Sequence, residues 1–282
     1  MTDFQFKKRI IIDKIFKFFL MFMSAIILVP LFLILYFLVS KGISSISWDF
    51  FVKMPVAMGD IGGGIANAIV GTGILILTAS IMAIPIGILV GIFLAEYKDT
   101  RLSYWVRICC EILQGTPSIV IGIVAWSWIV KPMGIFSAFS GGVALALMML
   151  PIIIRSVEET IKLIPIHLKE ASLSLGVPYS KTIIKVILPT GLSSIISGIL
   201  LSVSRIAGET APLIFTAFGN PFMSTRLFRP IESMPLLIFR YASSPFPNLH
   251  NIAWGTSFIL VVFILSLNLI SKGVSKRWKI KY

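Results

Sequence analysis

Apolar residues in this chain gather into long runs instead of alternating with polar ones. Six runs are long enough to be read as membrane spans: roughly Phe18–Val39, Ala68–Leu94, Ile108–Val130, Ile135–Ile154, Leu192–Ala217 and Ile252–Ile270. A helix needs about 20 predominantly apolar residues to cross a ~30 Å hydrocarbon core, and a helix satisfies its own backbone where lipid offers no partners. The pattern predicts an all-α, polytopic membrane protein with six transmembrane helices. The third run is the least regular, because Glu111, Gln114 and Pro117 interrupt its start. Two intervening segments, about 155–191 and 218–251, are too long to be simple turns. No internal repeat, low-complexity tract or second soluble domain is evident, so residues 1–282 read as one membrane domain.

Composition agrees: 57% of the residues are hydrophobic and only 13% charged, about half the charge of a soluble domain. The net charge of +13 could suggest nucleic acid, but apolar runs separate the basic residues, and a positive-inside membrane protein explains the excess better. With both termini cytoplasmic, 18 Lys and Arg residues fall on the inner side, from Lys7 to Lys17, Lys98 to Arg107, Arg155 to Lys185 and Lys272 to Lys281. Six fall outside (Lys41, Lys53, Lys131, Arg226, Arg229 and Arg240), and Arg205 alone lies within a span. The first run is too long for a signal-peptide core and reads as a retained helix. Cys109 and Cys110 are neighbours without metal-site spacing, and His167 and His250 are the only histidines, so no metal site and no catalytic centre is expected.

The inner segment contains PIHLKEASLSLGVPYSKTIIKVILP, residues 165–189. Pro165 suits the first turn of a helix. Leu168, Ala171, Ser172 and Leu175 recur at helical spacing, Gly176 can take the left-handed cap, and Pro178 keeps the helix from resuming at once. A short helix with small residues at 171, 172 and 174 would allow close approach of another protein; taken alone, a surface loop helix is the favoured reading. The stretch resembles the EAA loop of ABC-importer permeases, matching through Glu170, Ala171, Ser172, Gly176, Val186, Leu188 and Pro189, with Ser172 and Val186 as mild departures. The resemblance implies a coupling loop at about 155–190 that docks on a separate ATPase through Glu170, Ala171, Ser172 and Gly176. No GxxxxGK[ST] occurs in the chain, so no P-loop is available for ATP.

Three further stretches narrow the resemblance: GGGIANAIVGT (62–72), EILQGTPSIVIG (111–122) and RIAGETAPLIFTA (205–217). In this order around an EAA loop they resemble the PstA-type permeases of bacterial phosphate ABC importers, over a core of about 62–270. That likeness implies a MetI-like permease fold in the bacterial inner membrane. It also implies import of inorganic phosphate together with a PstC-like second permease, two PstB-like ATPase subunits and a PstS-like phosphate-binding protein. ATP and Mg would be bound by the partner ATPase, and this chain would need no cofactor of its own. The PstC-like partner itself and permeases for another oxyanion (sulfate, molybdate, phosphonate) remain alternatives. An ATPase-independent anion channel or proton-coupled carrier is a further one, against which the EAA loop counts.

The chemistry of the fifth run fits such a role. Arg205 falls about halfway along it, with Glu209 one turn further on the same face. A charge at mid-bilayer costs about 2.5–3.5 kcal/mol even on the lower scales, so such residues face polar interiors and partners. A guanidinium donates two parallel hydrogen bonds to an oxyanion and stays protonated. Glu209 would hold Arg205 between transport events or accept a phosphate proton; alternatively, the two form a pair that only fixes helix packing. Pro212 is expected to kink the helix just past Glu209, with Gly208 accommodating close packing at the bend. Gln114, Thr116 and Ser118 around Pro117 are expected either to line the same path or to form a packing face.

Overall fold

The computed structural model describes residues 3–56 and 62–277. Lys279 and Lys281, counted in the basic tail, lie outside the described residues. Among them the chain is almost entirely helical, with no strand and a single parallel bridge between Phe218 and Ile231.

In chain order the helices are α1 (Asp3–Ile43), α2 (Trp48–Val52), α3 (Ala66–Glu96), α4 (Arg101–Gly115) and α5 (Ser118–Met133). There follow α6 (Ala138–Lys162), α7 (Ile166–Ser174), α8 (Tyr179–Ala207), α9 (Ala211–Thr216), α10 (Met234–Ala242) and α11 (Pro247–Arg277). Five of them, α1, α3, α6, α8 and α11, are each long and apolar enough to cross a membrane.

The expected third span departs from a single helix. It divides at Thr116–Pro117 into α4 and α5, which meet at 108°. Thr116, directly before proline, is extended (φ −75°, ψ 130°), as the clash with the proline ring requires. The fourth span is longer than its apolar run and continues to Lys162. Two i,i+4 ion pairs, Arg155–Glu159 and Glu158–Lys162, carry the helix through a segment whose polarity suggested a loop. The fifth begins earlier and ends earlier than expected. Helix α8 stops at Ala207, Gly208–Thr210 form a non-helical break, and α9 restarts at Ala211. Pro212 therefore breaks rather than kinks the helix: it sits in the first turn of α9, where a missing N–H costs nothing. Arg205 lies in the last turn of α8 instead of its middle.

Both remaining helix irregularities have the same cause. In α5 a π-turn over Trp126–Val130 precedes Pro132, and in α8 a π-turn over Ile183–Ile187 precedes Pro189. The proline ring pushes away the carbonyl four residues back, and one widened turn accommodates it.

The centre of the bundle is the α3–α6 seam. Leu75, Ala79 and Ala83 of α3 meet Leu145, Met149, Ile153 and Val157 of α6, all buried. Glycines set the spacing: a Cβ on Gly87 would lie 2.6 Å from Ile153 Cγ2, and one on Gly91 2.6 Å from Val157 Cβ. Small residues that let backbones approach are how helices gain packing energy where lipid gives no hydrophobic drive. Helix α8 joins α6 in the same way, Gly191 against Thr160 and Gly198 against Ser156. Helix α11 is fastened to α8 by a reciprocal pair, each of the Ser197 and Ser271 hydroxyls donating to the other's carbonyl at 3.2 Å. Helix α1 meets α11 near Gly42, beside Trp254 and Phe258; most of its apolar surface is otherwise uncovered.

At the end of the bundle opposite α7, the segment between α9 and α10 is bound to α3 and α6. Asn67 donates to the carbonyls of Asn220 and Pro221, and the Thr72 hydroxyl accepts the Met234 N–H. The first N–H groups of α6, those of Ser137, Ala138 and Phe139, donate to the carbonyls of Thr216, Arg229 and Leu227. The GGGIANAIVGT stretch thus serves to seat this segment, and Gly71 is required there because a Cβ would lie 1.9 Å from the Glu232 carbonyl oxygen.

Candidate functional site

The break in the fifth span fixes the geometry of Arg205 and Glu209. Because α8 ends between them, the two do not share a helical face. No ion pair joins them: Arg205 is exposed on this chain and Glu209 half-buried. The turn closes instead through the backbone, Gly208 N–H donating to Arg205 O and Glu209 N–H to Ile206 O. Gly208 does not provide the expected close packing, since a Cβ there would meet Ile264 only at 3.5 Å. The tight contact lies one step on, where a Cβ on Gly122 of α5 would come within 2.6 Å of Pro212 Cα. That crossing brings together the two broken spans, for Gly122 is one turn beyond the Thr116–Pro117 break and Pro212 follows the Gly208–Thr210 break.

Below Arg205 one face of α8 leads back toward an open cleft. Leu201, Gly198, Ser197 and Ser194 precede it at helical intervals, and from Arg205 to Ser194 the face covers about 16 Å at 1.5 Å per residue. These residues form one wall of an open cleft of about 530 Å³, faced by Gln114 of α4 and by Arg155, Ser156 and Glu159 of α6. Arg155 Nε donates to Glu159 at 3.1 Å, both side chains being more than half exposed. Gln114, Arg155 and Glu159 are shared with a neighbouring cleft of about 190 Å³ lined also by Arg107, Glu158 and Lys162. In it Arg107 and Lys162 both donate to Glu158, while Arg107 also donates to the carbonyls of Leu94 and Lys98 at the end of α3. The two clefts together present polar groups from Lys162 and Arg107 to Ser197; Gly198 and Leu201 lie between Ser197 and Arg205 on α8.

Of the polar residues expected around Pro117, Gln114 lies in this cleft. The Thr116 hydroxyl donates back to Ile112 O at 2.7 Å and so completes the end of α4; Ser118 opens α5. Arg155, Ser194 and Ser197 escaped sequence reading. Arg155 counted only as an inner charge, although Ser194, Ser197, Leu201 and Arg205 already mark one helical face.

The 163–178 segment folds largely as its residues dictate. Helix α7 spans Ile166–Ser174 after Pro165, Gly176 is left-handed at φ 76°, and α8 resumes directly behind Pro178. Glu170, Ala171 and Gly176 are exposed. Ser172 is not: it is buried against Thr182, the two hydroxyls 2.9 Å apart. Leu175, expected on the same side as Ser172, instead points out into solvent.

The chain belongs to the family of binding-protein-dependent transport system inner membrane components, whose signature matches residues 87–280. Its fold is that of such permeases. The MetNI methionine ABC transporter in an inward-facing conformation superimposes with a TM-score of 0.63 at 16% identity, over 77% of this chain and 96% of that one. Within the family the likeness is to PstA. The chain is 42% identical to the phosphate transport system permease protein PstA of Yersinia pestis over 247 residues, 87% of this chain and 84% of the relative. It is 33% identical to the probable phosphate transport system permease protein PstA of Methanocaldococcus jannaschii over 260 residues, 92% of each.

Proposed function

We propose that this chain is one of two permease subunits of an ATP-driven importer of inorganic phosphate. The observation that carries the reading is the placement of Arg205: exposed on this chain, with no carboxylate partner among the described residues, on the α8 face whose further turns, Ser197 and Ser194, line the cleft with Gln114 and Arg155. An unpaired guanidinium within a span is costly unless a polar surface or an anion meets it, and its fork suits the two oxygens of a phosphate. Arg205 receives the anion, and Gln114 with the α8 serines carries it inward. Glu209, across the helix break, is placed to act on the phosphate proton rather than to neutralise Arg205. Thr116 and Ser118 set the shape of the α4–α5 break that borders the path. A PstC-like permease supplies the other half of the pathway, a PstS-like protein delivers phosphate, and two PstB-like subunits bind ATP and Mg and engage Glu170, Ala171 and Gly176. The α7 end and both termini are cytoplasmic, and residues 1–282 act as a single transmembrane domain with its core at about 62–270.

Reconstitution with these partners in proteoliposomes tests the proposal. Phosphate uptake should require ATP and the binding protein together; uptake without either, or of sulfate in place of phosphate, would refute it. Single cysteines at Lys98 and Lys181, with Cys109 and Cys110 replaced, should resist impermeant thiol reagents in intact cells, whereas one at Arg229 should react. Labelling of position 181 from outside would reverse the orientation.

A further inference from the structure

Glu96, the last residue of α3, carries a carboxylate whose side chain is only 8% exposed although it stands at the end of a helix. It accepts hydrogen bonds from Lys169 of α7 and from Tyr179, the first residue of α8. Lys169 also donates to the Tyr179 hydroxyl at 3.0 Å and lies 4.7 Å above its ring centroid. Two side chains, one from α7 and one from α8, thus converge on one buried carboxylate of α3. Beneath them lies a cavity of about 310 Å³, walled by Glu96, Ile161, Ile164, Pro165 and Ile187.

Helix α7 also meets the start of α8 through the buried Ser172–Thr182 hydroxyl pair, while toward α3 its side-chain hydrogen bonds among the described residues run through Glu96. Its covalent connections to the bundle are short non-helical links, 163–165 and 175–178. Such links yield when one end is pushed, so covalent connection alone transmits little displacement. At the other end of the contact, α3 is locked to α6 by the Gly87–Ile153 and Gly91–Val157 approaches. A force applied to α3 at Glu96 therefore moves α3 and α6 together, and α6 carries the Arg155 wall of the cleft.

We propose that Glu96 is a positioning residue that clamps α7 to α3, so that displacement of α7 by the ATPase drives the α3–α6 pair as a unit. The coupling role rests on the importer reading above; the clamp itself does not.

Two measurements separate them. In the full chain alone, in nanodiscs and with Cys109 and Cys110 replaced by Ser, spin labels are placed at Leu173→Cys on α7 and Leu89→Cys on α3. Their distance distribution should be narrow, should widen about twofold in Glu96→Gln as the restraint between packed elements is lost, and should narrow again when Glu96→Lys is combined with Lys169→Glu. In the assembled importer, Glu96→Gln should keep its ATP hydrolysis while phosphate moved per ATP falls about tenfold, within the usual span of coupling effects; the charge exchange should restore part of it. Equal distance widths in wild type and Glu96→Gln would overturn the clamp whatever the transport result. Unchanged phosphate per ATP would overturn its role in coupling. A wild-type assembly that hydrolyses ATP but moves no phosphate would overturn the importer reading, and the coupling role with it.

Discussion

Replacing Arg205 by Gln separates a transport role from a packing role, because the structure assigns the two roles opposite costs. The guanidinium is exposed and joined to no carboxylate among the described residues, so its removal breaks no ion pair there. Exposed substitutions of this kind change stability by about 0.5 kcal/mol or less, and the yield of assembled complex should stay within a factor of two or three. In transport the loss is different. Two charge-assisted hydrogen bonds to an oxyanion contribute about 1.5–3 kcal/mol each, together about 3–6 kcal/mol. At about 1.4 kcal/mol per tenfold, uptake should fall by roughly 10² to 10⁴. Arg205→Lys should also fall short, since an ammonium cannot reproduce the fork. Glu209→Gln should be milder than Arg205→Gln. The assay is initial uptake of labelled phosphate into proteoliposomes, normalised to complex recovered by gel filtration. Uptake by Arg205→Gln within twofold of wild type would refute the reasoning. So would recovery in the double mutant Arg205→Gln with Glu209→Gln, for only a mutually neutralising pair is rescued by removing both charges.

Gly122→Leu should separate α5 from α9, because backbone atoms of Pro212 stand 2.6 Å from the new Cβ and cannot rotate away; a loss of about 1–3 kcal/mol, read as a lower midpoint of thermal unfolding in detergent, is expected, with Gly122→Ala intermediate. Gly176→Glu should insert normally yet weaken ATPase association, since an L-residue at φ 76° costs about 1–2 kcal/mol in backbone strain; Gly176→Asn should be tolerated, and equal binding by both variants would refute the strain argument. The Glu96 clamp should respond to alkali. Burial alone would lower the Lys169 pKa, but the hydrogen bonds to Glu96 and Tyr179 outweigh it and raise the value, while burial and Glu96 raise that of Tyr179. A raised lysine pKa stabilises the fold fully below the unfolded value and loses that contribution as pH climbs through the folded one. Tyr179 adds a loss of the same sign; Lys98 and Lys162 are the other basic side chains that border the same cavity. The α3–α7 distance should therefore hold from neutral pH to the ordinary lysine value of 10.5 and widen above it; widening near neutral pH would contradict the assignment.

What the sequence reveals and what it hides follow from the range of the interactions involved. The six apolar runs, the helix behind Pro165, the Gly176 cap and the polar break at Pro117 are local, set by hydropathy over one span or by the sterics of one or two residues. The 108° angle between α4 and α5 is not local, because it depends on what α5 packs against. The end of α8 at Ala207 escaped because Ile206, Ala207 and Leu213 keep the apolar run continuous in composition while Gly208, Thr210 and Pro212 interrupt its backbone. Ser172 and Leu175 share a helical stripe by spacing, yet they part company where the helix ends at Ser174. Glu96 and Lys169 are 73 residues apart, and nothing in the neighbourhood of either points to the other.

The way α6 begins also constrains how the protein is made. Its first three amide donors are taken up by carbonyls at 216, 227 and 229, and the Ser140 hydroxyl donates to Thr216 O as well. While the ribosome has not yet delivered that later segment, the start of α6 must rely on water or the translocation machinery for those groups. The amino-terminal half can thus enter the bilayer as helices but cannot finish its own architecture; completion waits for a stretch some eighty residues downstream. Nascent chains arrested before residue 216 should consequently leave the α6 start open to amide exchange, and release of the full chain should close it.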